Sequence, residues 1–167
     1  MEAQDGKHLT FSLGNEDYGI PILKVKEIIG LMDITHVPQT PEFIKGVINL
    51  RGKIIPIMDL RLKFKMPEKD YNERTCIIVV EVLINEAKRL MGIVVDMVSE
   101  VVNIQASEIE PPPQYGTTKV ETGFLTGLGK VKGKVVMLLN IEQIINCEEM
   151  ISLLNNDVNM KGNLANV

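Results

Sequence analysis

The sequence contains no tryptophan and only seven other aromatic rings, four Phe and three Tyr, in 167 residues. A chain of this length can bury a core without cross-links, and that core must be built from Ile, Val and Leu, with nine Met as filler. Cysteine is nearly absent: Cys76 and Cys147 stand far apart with no C-x-x-C spacing, which points to reduced thiols and a cytoplasmic setting. Long apolar runs are missing too. The longest, Cys76 to Val80 and Val135 to Leu139, fall far short of the roughly 18 residues that a membrane-spanning helix needs. The opening residues Met1 to Gly6 are polar and acidic, unlike a secretory leader. Positive charge is not in excess either. With 18 basic and 22 acidic residues the net charge is −4 and the pI about 5.3, the wrong sign for affinity built on phosphate neutralisation. Direct membrane insertion and nucleic-acid binding are therefore not expected.

The chain carries a repeat. At an offset of 73, Gly19 falls on Gly92, Ile20 on Ile93, Val25 on Val98 and Glu27 on Glu100; at an offset of 81, Phe43 falls on Phe124, Gly46 on Gly127, Gly52 on Gly133, Arg51 on Lys132 and Asp59 on Asn140. Both windows keep their order, which predicts two related units at about 8–65 and 75–145. Each reads as β. Leu9 to Leu13 alternates and Gly14 to Asp17 supplies a turn before Tyr18-Gly19-Ile20 returns. Cys76 to Val82 is β-branched and nearly continuously apolar, as a strand buried on both faces would be, and a longer turn around Asn85 to Lys88 follows it. Gly46 to Leu50, Arg51-Gly52-Lys53 and Ile54 to Met58 form another hairpin, repeated around Lys132-Gly133. Short strands and tight turns at this density predict two small barrels sharing a core. Asp59 and Asn140 read as helix N-caps. Asn140 with Gln143, and the stripe Ile141, Ile144, Ile145, Ile151 and Leu154, predict a C-terminal helix over 141–154. The polar remainder, 155–167, is expected to fray.

Catalytic and cofactor motifs are not found. Gly127-Leu128-Gly129 through Gly133 is one residue too long for a dinucleotide loop, and the Walker pattern fails at Phe124 and Val131. His8 and His36 have no ligand or nucleophile at a useful spacing, so no cofactor or metal is expected. Glu27, Asp59, Glu81, Asp96 and Glu100 leave a small carboxylate-dependent hydrolase as one alternative. A purely structural, self-associating β-protein is another.

Asn49-Leu50-Arg51-Gly52 followed by Pro56-Ile57-Met58-Asp59-Leu60-Arg61 resembles the signature of the CheW family of chemotaxis coupling proteins. Tyr18 to Ile22, Val25 to Ile28, Phe43 to Val47, Gly92 to Asp96 and Phe124 to Gly129 are similar to that family in the same order, so that the resemblance covers about 8–154. It implies a mainly β fold of two SH3-like five-stranded barrels sharing a core, with a C-terminal α-helix. It also implies a non-catalytic adaptor that couples methyl-accepting chemotaxis receptors to the histidine kinase CheA, in arrays at the inner face of the membrane. The chain has no room for the phosphotransfer and ATP-binding domains of the kinase itself, and no receiver domain follows, as a CheV-type protein would require. By the same resemblance, Val25, Val98 and Val101 match positions lining a receptor groove, although strand valines also suit plain core packing. Glu27 and Arg51 match its charged receptor contacts. Gln114 and Tyr115, at the end of the stiff segment Pro111 to Tyr115, match a kinase contact on the second barrel, and Tyr115 folded back onto its own barrel is the equal alternative.

Overall fold

The computed structural model describes residues 5–112 and 123–145. In chain order the elements are β1 (Gly6–Leu13), β2 (Glu16–Pro21), β3 (Val25–Gly30), β4 (Ile44–Leu50), β5 (Lys53–Asp59), α1 (Leu60–Lys63), β6 (Cys76–Ile84), β7 (Ala87–Val95), β8 (Met97–Ile104), β9 (Ile109–Glu110), β10 (Leu125–Val131), β11 (Lys134–Leu139) and α2 (Ile141–Ile145). They form a five-stranded sheet in the order β3-β6-β7-β5-β4 and a six-stranded sheet in the order β8-β1-β2-β11-β10-β9, whose extra strand is the two-residue β9. The fold is mainly β with a short helix after the last strand, as expected. The rest of the 141–154 helix expectation, the 155–167 tail, Gln114 and Tyr115 lie outside the described residues.

Period-2 alternation explains the layering. From β6, Ile78, Val80 and Val82 point into a large cluster between the sheets, where they meet Leu9, Phe11 and Leu13 of β1 and Met91, Ile93 and Val95 of β7. Their neighbours Ile77 and Val79 point the other way, into a second cluster with Ile48, Ile55 and Ile57. The six-stranded sheet closes over a smaller cluster of its own, Ile104, Val136 and Leu138. Each sheet thus wraps a private interior, as an SH3-like barrel does, and both press on a common core. The core is aliphatic as the composition requires, but of the methionines among the described residues only Met58 and Met91 belong to its buried set. The few aromatics are concentrated: Phe11, Tyr18, Phe64 and Phe124 run ring to ring at 5.9, 5.9 and 4.8 Å.

One expectation is corrected. The repeat units 8–65 and 75–145 do not each close a barrel. The five-stranded sheet is contiguous, 25–95, whereas the six-stranded sheet combines 6–21 with 97–139. The opening hairpin of each repeat pairs with the closing strand of the other: β2 runs parallel to β11 with Gly19 opposite Leu138, and β7 runs parallel to β5 with Gly92 opposite Ile57. Exchange satisfies the edges of both hairpins and leaves the two repeats inseparable. The chain crosses between sheets twice, at the 3₁₀ turn Ile22–Lys24 and at Asp96. An ion pair to a short helix pins each crossing: Lys24 to Glu142 of α2, and Asp96 to Arg61 of α1 at 2.7 Å. Arg61 and Glu142 are separated by the repeat offset of 81, with the charges reversed.

The repeat extends to turn and cap geometry, as the sequence pattern predicts. Both final hairpins turn on a left-handed basic residue followed by Gly, Arg51-Gly52 and Lys132-Gly133. Asp59 Oδ1 accepts from the amide of Leu62 at 3.3 Å and Asn140 Oδ1 from that of Gln143 at 3.2 Å, so both act as N-caps. The predicted long turn after β6 is instead a two-residue turn, Asn85-Glu86, both at positive φ. The additional residues lengthen the strands, because Ile84 already pairs with Ala87.

Gly92 and Gly19 face inward where the exchanged strands meet. A Cβ on Gly92 would stand 2.4 Å from Ile57 Cδ1 and 2.9 Å from Ile77 Cγ2, whereas on Gly19 the nearest atoms, on Leu138 and Val136, are 3.2 Å away. Gly92→Ala is therefore expected to cost about 1–3 kcal/mol through overpacking and Gly19→Ala clearly less. Urea unfolding of the two variants checks the order.

Candidate functional site

Strand β3 lies at one edge of its sheet and β8 at one edge of the other. Each carries a bulge at the same place in the repeat. Val25 faces Val80 and Glu27 faces Val79, leaving an extra residue in β3; Val98 faces Phe11 and Val101 faces Leu9, leaving one in β8. A bulge re-aims the side chains beside it, and here it turns an acid toward a hairpin turn of the same barrel. Glu27 pairs with Arg51, and Glu100 pairs with Lys132 at 3.0 Å. The sequence aligns Glu27 with Glu100 and Arg51 with Lys132, but nothing in it indicates that either pair touches.

Each pair is flanked by exposed β-branched residues. Ile28 is 43% exposed and Ile54 38%; their counterparts Val101 and Val135 are 50% and 56% exposed. The surface therefore bears the same motif twice, an acid–base pair with two apolar side chains standing in water. Of the site residues expected from sequence, Glu27 and Arg51 are brought into contact. Val25 and Val98 rest half-buried against the shared core, so that packing and surface roles coincide at both. Val101 is not part of that cluster and stands outward. Arg51 holds its turn at φ 51°, and Asn49 Oδ1 braces that turn by accepting the Gly52 amide at 2.9 Å.

The five acids singled out as a hydrolase alternative are dispersed. Besides Glu27 and Glu100, Glu81 lies 3.4 Å from Lys26. Asp96 takes Arg61 and the Gly14 amide, each at 2.7 Å. Asp59 accepts from the Tyr71 hydroxyl at 2.7 Å. Each carboxylate has its own donors, the opposite of two acids sharing a cleft. His8 is buried in β1 with Nδ1 3.0 Å from the Gly6 carbonyl oxygen. Among the described residues no helix is long and apolar enough to cross a membrane.

A family model, the CheW-like domain, matches residues 7–149. The chain belongs to the CheW family. The chemotaxis protein CheW of Klebsiella aerogenes is 48% identical over 142 residues, 85% of this chain and 82% of that protein. The CheW of Helicobacter pylori is 34% identical over 135 residues, 81% and 78% of the two chains. The crystal structure of scaffolding protein TtCheW from Thermoanaerobacter tengcongensis superposes with a TM-score of 0.75 at 37% identity, covering 87% of this chain and 96% of that one. These likenesses make the chain a chemotaxis adaptor of the CheW type, whose work is interaction with other chemotaxis signalling components.

Tyr71 ties the link between the repeats to buried Asp59. Its burial, together with the hydrogen bond to and the negative charge of Asp59, pushes its hydroxyl well above the ordinary 10.0, and Glu68 adds to the shift. The stability this contributes is complete below pH 10, where the unfolded tyrosine keeps its proton, and drains away as pH rises toward the folded value. Tyr71→Phe should cost about 2 kcal/mol at neutral pH and make the loss of stability above pH 10 shallower, read from urea midpoints as a function of pH. Tyr18, raised chiefly by burial and then by Glu16, retains part of that slope.

Proposed function

We propose that this protein is a non-catalytic adaptor that joins the cytoplasmic tips of methyl-accepting chemotaxis receptors to the regulatory domain of the histidine kinase CheA, in arrays at the inner face of the membrane. The observation that carries the reading is the doubled edge-strand motif: a rigid scaffold presents recognition chemistry at separate places, and its acids are paired off singly. An amphipathic receptor helix lies along the groove lined by Val25, Val98 and Val101, with Glu27 and Arg51 at the rim. Arg51 is 71% exposed in its ion pair, and an exposed pair is worth at most about 1 kcal/mol. Exchanging Glu27 for a carboxylate or helix-end carbonyl on the partner therefore costs little, and the planar guanidinium suits such acceptors better than an ammonium would. The kinase is met elsewhere, through Gln114 and Tyr115, the positions that the family resemblance assigns to a kinase contact, where an aromatic side chain would lose little entropy on docking.

Co-sedimentation with receptor-bearing membranes and CheA, each omitted in turn, tests the whole. The protein should sediment with receptors alone and should recruit CheA to them; failure of both ends the reading. Arg51→Ala should shift unfolding by less than about 1 kcal/mol while weakening receptor association and sparing CheA. Tyr115→Ala should do the reverse, keeping receptors and losing CheA. Pull-downs with each partner, alongside circular dichroism, separate the two.

A further inference from the structure

The bulge in β8 has a keeper that is not on the surface. Phe11 faces Val98 and Leu9 faces Val101, so Thr10 alone stands opposite two residues, Ser99 and Glu100. Its side chain is buried, and the hydroxyl donates to the Glu100 carbonyl oxygen at 2.9 Å and accepts from the Glu100 amide at 3.2 Å. One hydroxyl thus satisfies both backbone groups that the bulge removes from the ladder. The outcome is visible along the strand, where Ser99, Glu100 and Val101 are exposed in succession, a run that regular alternation forbids.

The other barrel manages its bulge without a hydroxyl. Thr10 faces Gly19 as Val79 faces Gly92, so Val79 is the counterpart of Thr10 in the repeat. It packs among Ile77, Ile55 and Ile57, and a full interior holds β3 in place. The Thr10 side of the six-stranded barrel opens instead into a cavity of about 410 Å³ lined by Thr10, Ser12, Met97, Glu100, Lys132 and Lys134 among others. Val102 and Ile104 of β8 pack in that barrel's own apolar cluster, but at the bulge itself the contact is made by the Thr10 hydroxyl. A slip of one residue would reverse the faces of the neighbouring side chains, Val98 and Val101 included.

We propose that Thr10 is a positioning residue for receptor docking: it touches no partner, but its hydroxyl holds the β8 bulge in the register that turns Val98 toward the shared core and Glu100 and Val101 toward the receptor helix. This rests on the receptor-binding function proposed above. The test uses the full chain with Thr10→Val, Thr10→Ala and Thr10→Ser, followed by amide hydrogen exchange at Glu100 and by co-sedimentation with receptor-bearing membranes and, separately, with CheA. The two hydroxyl-free variants should stay folded, lose protection at the Glu100 amide and bind receptors roughly tenfold more weakly, with CheA binding unchanged. Thr10→Ser should restore both protection and receptor binding. Unchanged protection in Thr10→Val and Thr10→Ala overturns the proposal, as does lost protection with full receptor binding. Unfolding of both hydroxyl-free variants also counts against it, since the residue would then hold the fold rather than the register. If the receptor-binding function itself is wrong, the unsubstituted protein already fails to sediment.

Discussion

The common core between the two sheets is the constraint on which everything else depends. Strands β1, β6 and β7 each offer one row of side chains to it, and β6 offers a second row to its own barrel interior. The cluster takes residues from both repeats and both sheets, so neither repeat can bury its apolar face alone. The exchange of opening hairpins follows from the same requirement: β2 and β7 find their parallel partners only across the repeat boundary. Everything at the surface, from the edge bulges to the hairpin turns, is carried on strands anchored there.

Much of this was legible in the sequence where the signal is local. The hairpin around Arg51-Gly52, the cap at Asp59, the doubly buried run from Cys76 and the two offsets of the repeat all rest on neighbours a few positions apart. What could not be read is what depends on distant pairing. Nothing in the apolar pattern of Leu9 to Leu13 tells whether the strand joins β3 or β8, because both offer similar β-branched partners. Strands β3 and β8 were themselves obscured by their bulges, which break the alternation that marks a strand. Glu100 and Lys132 are the clearest omission. Their counterparts Glu27 and Arg51 stood out through the family resemblance, and the two offsets applied together would have led to the second pair.

The repeats have not diverged evenly. One barrel interior is closed by Ile and Val from all five strands; the other places His8 and Thr10 of β1 where that barrel has Ile77 and Val79 of β6, and opens to solvent at one end. The two faces share a geometry and each carries an exposed ion pair, but beside its bulge one barrel is filled by Val79 and its apolar neighbours and the other relies on the Thr10 hydroxyl.

The chain's path through the two barrels also orders its birth. Residues 25–95 contain every strand of one barrel, so that unit has all its ladder partners before the rest of the polypeptide leaves the ribosome. The N-terminal hairpin is made first and completed last: Tyr18 pairs with Met137, about 120 residues downstream, a separation that slows folding. Until that strand emerges, β2 has one edge without its partner, and Glu100 and Val101, already carried on β8 beside β1, wait for Lys132 and Val135 to complete the second face.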